Sequence, residues 1–212
     1  ILCASEGGKP YIDSKVEIQR AINGIKIAIE HLSVYEGKEI AMGHTSTSAN
    51  RMAYTFKEPI GVVAAISAFN HPFNLAVHQV IPALAVGCPV IIRPATQTPM
   101  SAIRLVEILE EAGLPKGWAQ AVVCDRRGRE LLATSTKTNF LTFIGSGPVG
   151  WYLNSKVSPG TRVALEHGGV APVIVEPDAD IESMIPDLVK GGFYHAGQVC
   201  VSVQRVFVHE SI

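Results

Sequence analysis

The chain has 212 residues, 47% of them hydrophobic and 17% charged, a make-up that suits one large globular domain or two small ones. A net charge of −1, with no Lys/Arg cluster to offset it, argues against nucleic acid or a membrane surface as partner. Cys3, Cys88, Cys124 and Cys200 are too far apart for a CxxC pair, and read as reduced thiols of a cytoplasmic protein, neither a disulfide frame nor a metal site.

Along the chain, Ile18, Ile22, Ile25, Ile29 and Leu32 recur at helical spacing and predict a helix from Tyr11 to about Leu32. A polar connector (33–50) follows, and Arg51 to Pro59 alternates as an edge-like strand. Strand 61–67, a helix to about Val86 and strand 89–93 come next. A helix over 99–112 is bounded by Thr98 as N-cap, Pro99 at its first position and Gly113 just past its end. Strand 119–123, a short charged helix (126–134), strand 140–144, a helix from Gly147 and strand 162–166 complete this run. Strand 171–175, a helix over 181–194 and strand 205–209 open a further α/β unit. The longest apolar stretch (80–92) is interrupted by Pro82, Gly87 and Pro89, so no membrane span is predicted. The start at Ile1 and the end at Ile212, just after a strand, give the expectation of a chain cut at both ends.

Short apolar strands with little alternation, separated by helices, predict an α/β fold: a doubly wound, Rossmann-like parallel sheet covered on both faces. In such folds ligands sit at the carboxyl ends of the strands. Four stretches stand at strand ends. Asn70 in FNHPFN (69–74) follows the first core strand, and either serves a ligand or caps the next helix. FIGSGPVG (143–150) is a Gly-Ser turn opening a helix, where backbone N–H groups favour phosphate. LEHGG (165–169) brings the carboxylate of Glu166, and GQVC (197–200) the thiol of Cys200. A lone cysteine is more often a packed apolar residue, and His71, His78, His167 and His195 form no metal-ligand pattern. Together, however, the four stretches supply a nucleophile, a carboxylate base, an amide donor and a phosphate-binding turn.

The ordered set EPIGVVAAISAFNHPFN, IPALAVGCPVIIRPATQTP, EAGLPKG, FIGSGPVG, LEHGGVAPVIV and GQVCVSVQR resembles the aldehyde dehydrogenase superfamily over nearly the whole chain. The resemblance implies most of a dinucleotide-binding domain (1–166) and the start of a catalytic domain (167–212), the central part of a protein more than twice as long. It implies Cys200 as the nucleophile that attacks the aldehyde, Asn70 as an oxyanion donor and Glu166 as the base that hydrolyses the thioester. It also implies that Ile66, Ser67, Phe69, Arg93, Ala95, Thr96, Phe143, Gly145, Ser146 and Val149 line NAD or NADP. The substrate would be a small-molecule aldehyde, and the full-length form a homodimer or homotetramer.

The sequence departs from the family pattern at Phe69 for Trp, Ile144 for Thr, His167 for Leu and Val170 for Lys. The usual Lys-Pro-x-Glu reads Arg93-Pro94-Ala95-Thr96. Thr96 removes a carboxylate that would repel a 2′-phosphate, so NADP is expected to be accepted at least comparably with NAD. Asn74 and His78 follow Asn70 on one helical face. With His71 they predict a polar substrate wall, suited to a small hydroxylated or anionic aldehyde, unless they bond to the protein's own backbone. The competing functional class is a non-catalytic remnant that binds a nucleotide or a partner.

Overall fold

Apolar runs that lack alternation need cover on both faces, and the inner strands of the main sheet receive it. The computed structural model describes residues 1–212. Helices α1 (Leu2–Gly7) and α2 (Tyr11–Leu32) precede a small antiparallel pair, β1 (Glu39–Ile40) and β2 (Ala53–Tyr54). The main unit follows: β3 (Val63–Ile66), α3 (Pro72–Ala85), β4 (Val90–Arg93), α4 (Met100–Glu111), β5 (Ala119–Ala121), α5 (Arg126–Thr134), β6 (Phe140–Gly145), α6 (Gly147–Asn154) and β7 (Arg162–His167). Last come β8 (Pro172–Val175), α7 (Ile181–Phe193), a 3-10 turn (Tyr194–Gly197) and β9 (Arg205–Val208).

The main sheet is all parallel in the order β5-β4-β3-β6-β7, and β8 pairs with β9 in a separate parallel pair. The chain therefore winds outward from β3 through β4 to β5, then crosses back to β6 beside β3. That reversal is the switch point at which doubly wound sheets open a crevice. Every residue of β3 is buried. Val63 and Ala65 join a core cluster with α3, α4 and Ala21 of α2, while Ala64 and Ile66 join a second with Ala133 of α5 and Leu153 of α6. Side chains two apart on a strand share a face, so this split is the physical content of helices on both sides.

The register sets Arg93 beside Ile66, Ile66 beside Phe143, and Ile144 beside Glu166. The carboxyl ends of four strands thus form one rim.

Several local expectations change. Helix α1 carries no strong periodic signal and is missed by the sequence reading, and the strand expected over 51–59 reduces to Ala53–Tyr54. Thr98 does not cap α4; its hydroxyl donates to the Phe69 carbonyl (3.3 Å). The free N–H groups of Met100 and Ser101 go instead to the Glu6 carboxylate at 2.7 and 3.0 Å. A carboxylate at a helix N-terminus satisfies orphan donors and complements the dipole. Strand β7 runs through His167, and the second sheet begins at Pro172.

Candidate active site

A cleft of about 560 Å³ opens at the carboxyl ends of β3, β4, β6 and β7 and is closed on one side by the loop before β9. Its wall includes Asn70, Glu166 and Cys200, which come from three separated segments. Cys200 is the one exposed cysteine; Cys3 and Cys88 are buried and Cys124 is intermediate. A thiol facing a cleft can react, whereas a packed one cannot.

The Cys200 loop is held by specific bonds. His195, Ala196 and Gly197 take left-handed backbone (φ 50, 55 and 73), an uncommon conformation for the two non-glycine residues. The Asn70 side-chain amide donates to the Gln198 carbonyl (2.8 Å), joining the end of β3 to this loop. An amide nitrogen carries two protons, so one remains free for the cleft. The LEHGG segment is fastened to the chain after Cys200, with Gln204 Nε2 donating to the Gly169 carbonyl (2.9 Å). A Cβ on Gly169 would lie 3.7 Å from the Cys200 carbonyl oxygen, so the two segments run close together.

Beneath Asn70 lies a buried polar cluster that the sequence reading missed. Lys9, 3% exposed, donates to Glu17 (2.9 Å), to the Asn70 carbonyl (3.4 Å) and to His71 Nδ1. The other Glu17 oxygen accepts from the N–H groups of Phe73 (2.8 Å) and Asn74 (3.0 Å), capping α3. Burial alone would raise the Glu17 pKa, but His71, Lys9 and the Asn74 N–H outweigh it and hold the carboxyl at about 2. His195 packs 6.0 Å from His71, and burial, with Lys9 and His71 beside it, lowers its pKa from the ordinary value.

Of the residues expected to line a dinucleotide, Ile66, Ser67, Phe69, Arg93, Ala95, Phe143, Gly145, Ser146 and Val149 line this cleft. Thr96 does not; its hydroxyl accepts a bond from Arg93 Nη2 (2.8 Å), which also donates to the Cys124 carbonyl (3.1 Å). Arg93 is thus held by two neutral oxygens. Ser67 Oγ, Arg93 Nε and Arg129 Nε are buried without a partner, polar atoms of a kind that a bound polar ligand would satisfy. His167 also faces the cleft, between Phe143 and Trp151, and a Cβ on Gly150 would collide with its ring. The face of α6 at Gly150 is therefore packed closely against His167.

The expected substrate wall divides. His71 lines the cleft, but Asn74 is 2% exposed with its N–H on Glu17, and His78 is exposed; neither lines this cleft. A second cleft of about 730 Å³ lies on the other side of the Cys200 loop. It is lined by α2 and α7 residues, Arg20, Asp187 and Lys190 among them, with His71, Tyr194, Val199 and Val201. Arg20 carries no signal beyond its place on the helix face opposite the apolar stripe, so sequence reasoning passes over it.

The aldehyde dehydrogenase family model matches residues 1–212. The chain belongs to the aldehyde dehydrogenase family. Among relatives, 3-sulfolactaldehyde dehydrogenase of Priestia aryabhattai is 42% identical over 214 residues, covering 100% of this chain and 44% of that protein. Among solved structures, aldehyde dehydrogenase 21 from Physcomitrella patens, in complex with succinate, superposes with TM-score 0.93 at 36% identity, over 99% of this chain and 44% of that one. Glyceraldehyde-3-phosphate dehydrogenase GapN from Methanocaldococcus jannaschii, complexed with NADP, gives TM-score 0.91 at 34% identity, over 100% of this chain and 46% of that one. The chain therefore spans somewhat under half the length of the relatives it matches.

Proposed function

We propose that the chain carries the dinucleotide site and the nucleophile of an NAD(P)-dependent aldehyde dehydrogenase that oxidises a small hydroxylated or anionic aldehyde to its acid. The observation that carries this reading is the convergence of Cys200, Glu166 and Asn70 on the cleft that also holds the Gly145-Ser146 turn.

The bound dinucleotide supplies a hydride acceptor at its nicotinamide ring. Everything else falls to the chain. The Cys200 thiolate attacks the aldehyde carbonyl, converting it to a thiohemiacetal oxyanion. The free proton of the Asn70 amide and the Cys200 backbone N–H hold that charge, each such donor being worth roughly 2.7–4 kcal/mol of barrier. The same Asn70 fixes the Cys200 loop through Gln198, which keeps nucleophile and donor in one frame. After oxidation to the thioester, Glu166 deprotonates the attacking water, and its exposure gives that water access. The cleft's volume suits a cofactor, and the partnerless Ser67, Arg93 and Arg129 atoms offer polar contacts along its wall.

Two observations favour a polar substrate. Arg20 lines the cleft on the far side of the Cys200 loop, where a carboxylate or sulfonate could pair with it. The Priestia relative is named for sulfolactaldehyde, and the Physcomitrella structure contains succinate. The test uses the whole enzyme. Cys200→Ala should abolish oxidation while leaving dinucleotide binding within about twofold, and Glu166→Gln should let a thioester accumulate on Cys200, visible by mass analysis of quenched samples. Turnover by the Cys200→Ala protein would end this assignment. A panel comparing lactaldehyde, 3-sulfolactaldehyde and succinate semialdehyde with hexanal addresses the substrate, with kcat/KM lowest for hexanal.

A further inference from the structure

Lys9 is a cation sealed inside the protein. Its side chain is 1% exposed, and that of its partner Glu17 is 0% exposed. An ammonium group carries three protons and accepts nothing. All three find acceptors here: Glu17 Oε2 (2.9 Å), the Asn70 carbonyl (3.4 Å) and His71 Nδ1. His71 accepts at Nδ1 only as the neutral ring with its proton on Nε2, so Lys9 fixes which way the imidazole faces. A buried ion pair is costly to assemble, and apolar side chains of similar volume would fill the space at least as well. Packing alone therefore gives no reason for a lysine at this position.

What the cation holds are the two residues that meet the Cys200 loop. Asn70 donates its side-chain amide to the Gln198 carbonyl (2.8 Å). The His71 ring stacks on Tyr194, with centroids 6.3 Å apart and planes at 18°, and packs 6.0 Å from His195. The loop needs such support. His195 and Ala196 both take left-handed backbone, with φ of 50 and 55, which a residue with a Cβ adopts only under constraint. His195 is buried, so its ring is packed while its backbone is strained. Released from these contacts, the turn would relax toward negative φ and carry Cys200 out of line with Asn70.

We propose that Lys9 is a positioning residue of the catalytic site: through Asn70 and His71 it keeps the strained 195–197 turn in place, and with it Cys200 opposite the Asn70 amide. The proposal rests on the reading of Cys200 as nucleophile given above. Lys9 lines neither cleft, so it acts through other residues alone. Its loss should appear in kcat, through misplacement of the reacting groups, rather than in KM.

The experiment compares Lys9→Met in the whole enzyme with Lys9→Met/Glu17→Gln, which removes both charges and leaves no orphaned carboxylate should the single variant fail to fold. In the folded variant kcat should fall by about ten- to a hundredfold, with KM for aldehyde and dinucleotide within about threefold. Amide hydrogen exchange in residues 195–200 should quicken, while that of β3, β4 and β6 stays as in the unaltered enzyme. Ala196→Gly supplies a readout that a merely structural role would not move. Glycine takes left-handed backbone without strain, so in the Ala196→Gly background the loss of kcat on removing Lys9 should shrink by at least about threefold. A folded variant with unchanged kcat, or a loss of kcat equal in both backgrounds, would overturn the proposal. An enzyme that oxidises no aldehyde, but whose exchange at 195–200 quickens without Lys9, keeps Lys9 as the support of the turn and removes the oxidoreductase reading instead.

Discussion

The side-chain amide of Asn70 donates to the backbone carbonyl of Gln198 at 2.8 Å, across 128 residues of sequence. That bond joins the end of β3 to the loop carrying Cys200, so the residue proposed as oxyanion donor also fastens the loop. Asn70→Asp keeps the size but replaces the donor with an acceptor facing a carbonyl. It should lower kcat by about 10²- to 10³-fold, the range for loss of one oxyanion donor. Amide exchange in residues 195–200 should quicken in parallel; unchanged exchange would separate the catalytic role from the structural one.

Glu17 ties the fold to pH. Its carboxyl is held at about 2, below its ordinary value of 4.5, by His71, Lys9 and the Asn74 N–H against the opposing effect of burial. A depressed carboxyl stabilises the fold fully above its ordinary value, and that contribution is lost as pH falls from about 4.5 toward 2. The size is on the order of 3 kcal/mol. Urea denaturation of the enzyme and of Glu17→Gln should show a stability gap at pH 6 that narrows steadily below pH 4.5. A gap constant across that range would mean that Glu17 acts through shape alone.

His167 stands where the family usually has Leu. Its Nε2 atom is buried without a partner, while its ring meets Phe143 and Trp151 edge-on at 6.1 and 5.5 Å. An unmade buried hydrogen bond costs about 1–3 kcal/mol, and two aromatic contacts at about 0.5–1.5 kcal/mol each offset it almost completely. His167→Leu removes both effects and should leave the melting temperature within about 2 °C of the unaltered protein. A fall of several degrees would point to a polar partner of Nε2 in solution.

Thr96 does not line the cleft, yet its hydroxyl holds Arg93. Thr96→Glu would set a carboxylate against that guanidinium and neutralise it. The ratio of kcat/KM for NADP to that for NAD should fall by about tenfold or more. A ratio unmoved by the substitution would show that Arg93 takes no part in choosing the cofactor.

Arg20→Ala tests the substrate side. Loss of the cation should raise KM for an anionic aldehyde by about tenfold while leaving KM for a neutral one of similar size unchanged, since only the charged end loses a partner. Equal effects on both would remove Arg20 from substrate recognition.

Much of this protein is written locally. The order of strands and helices from β3 to β7 follows from apolar runs, their spacing and their breakers, all short-range properties that tertiary packing had no reason to override. Three of the four motifs follow or end parallel strands, and the rule that ligands gather there brings them to one cleft, whereas the Cys200 stretch, on the loop between α7 and β9, reaches it only through tertiary packing. What tertiary structure alone decided are the partners of charged and amide groups. Asn70 gave no sign of whether it would cap α3; Glu17, 56 residues before Phe73, does so instead, and leaves the amide for Gln198. Glu6 caps α4 from 95 residues away, displacing Thr98 from the role its position suggested. Asn74 and His78 share a helical face with Asn70 in projection, but α2 packs against α3 and buries Asn74, whose backbone N–H donates to Glu17. A side chain's charge and reach can be read from its residue type, but which distant group it meets depends on how whole elements pack.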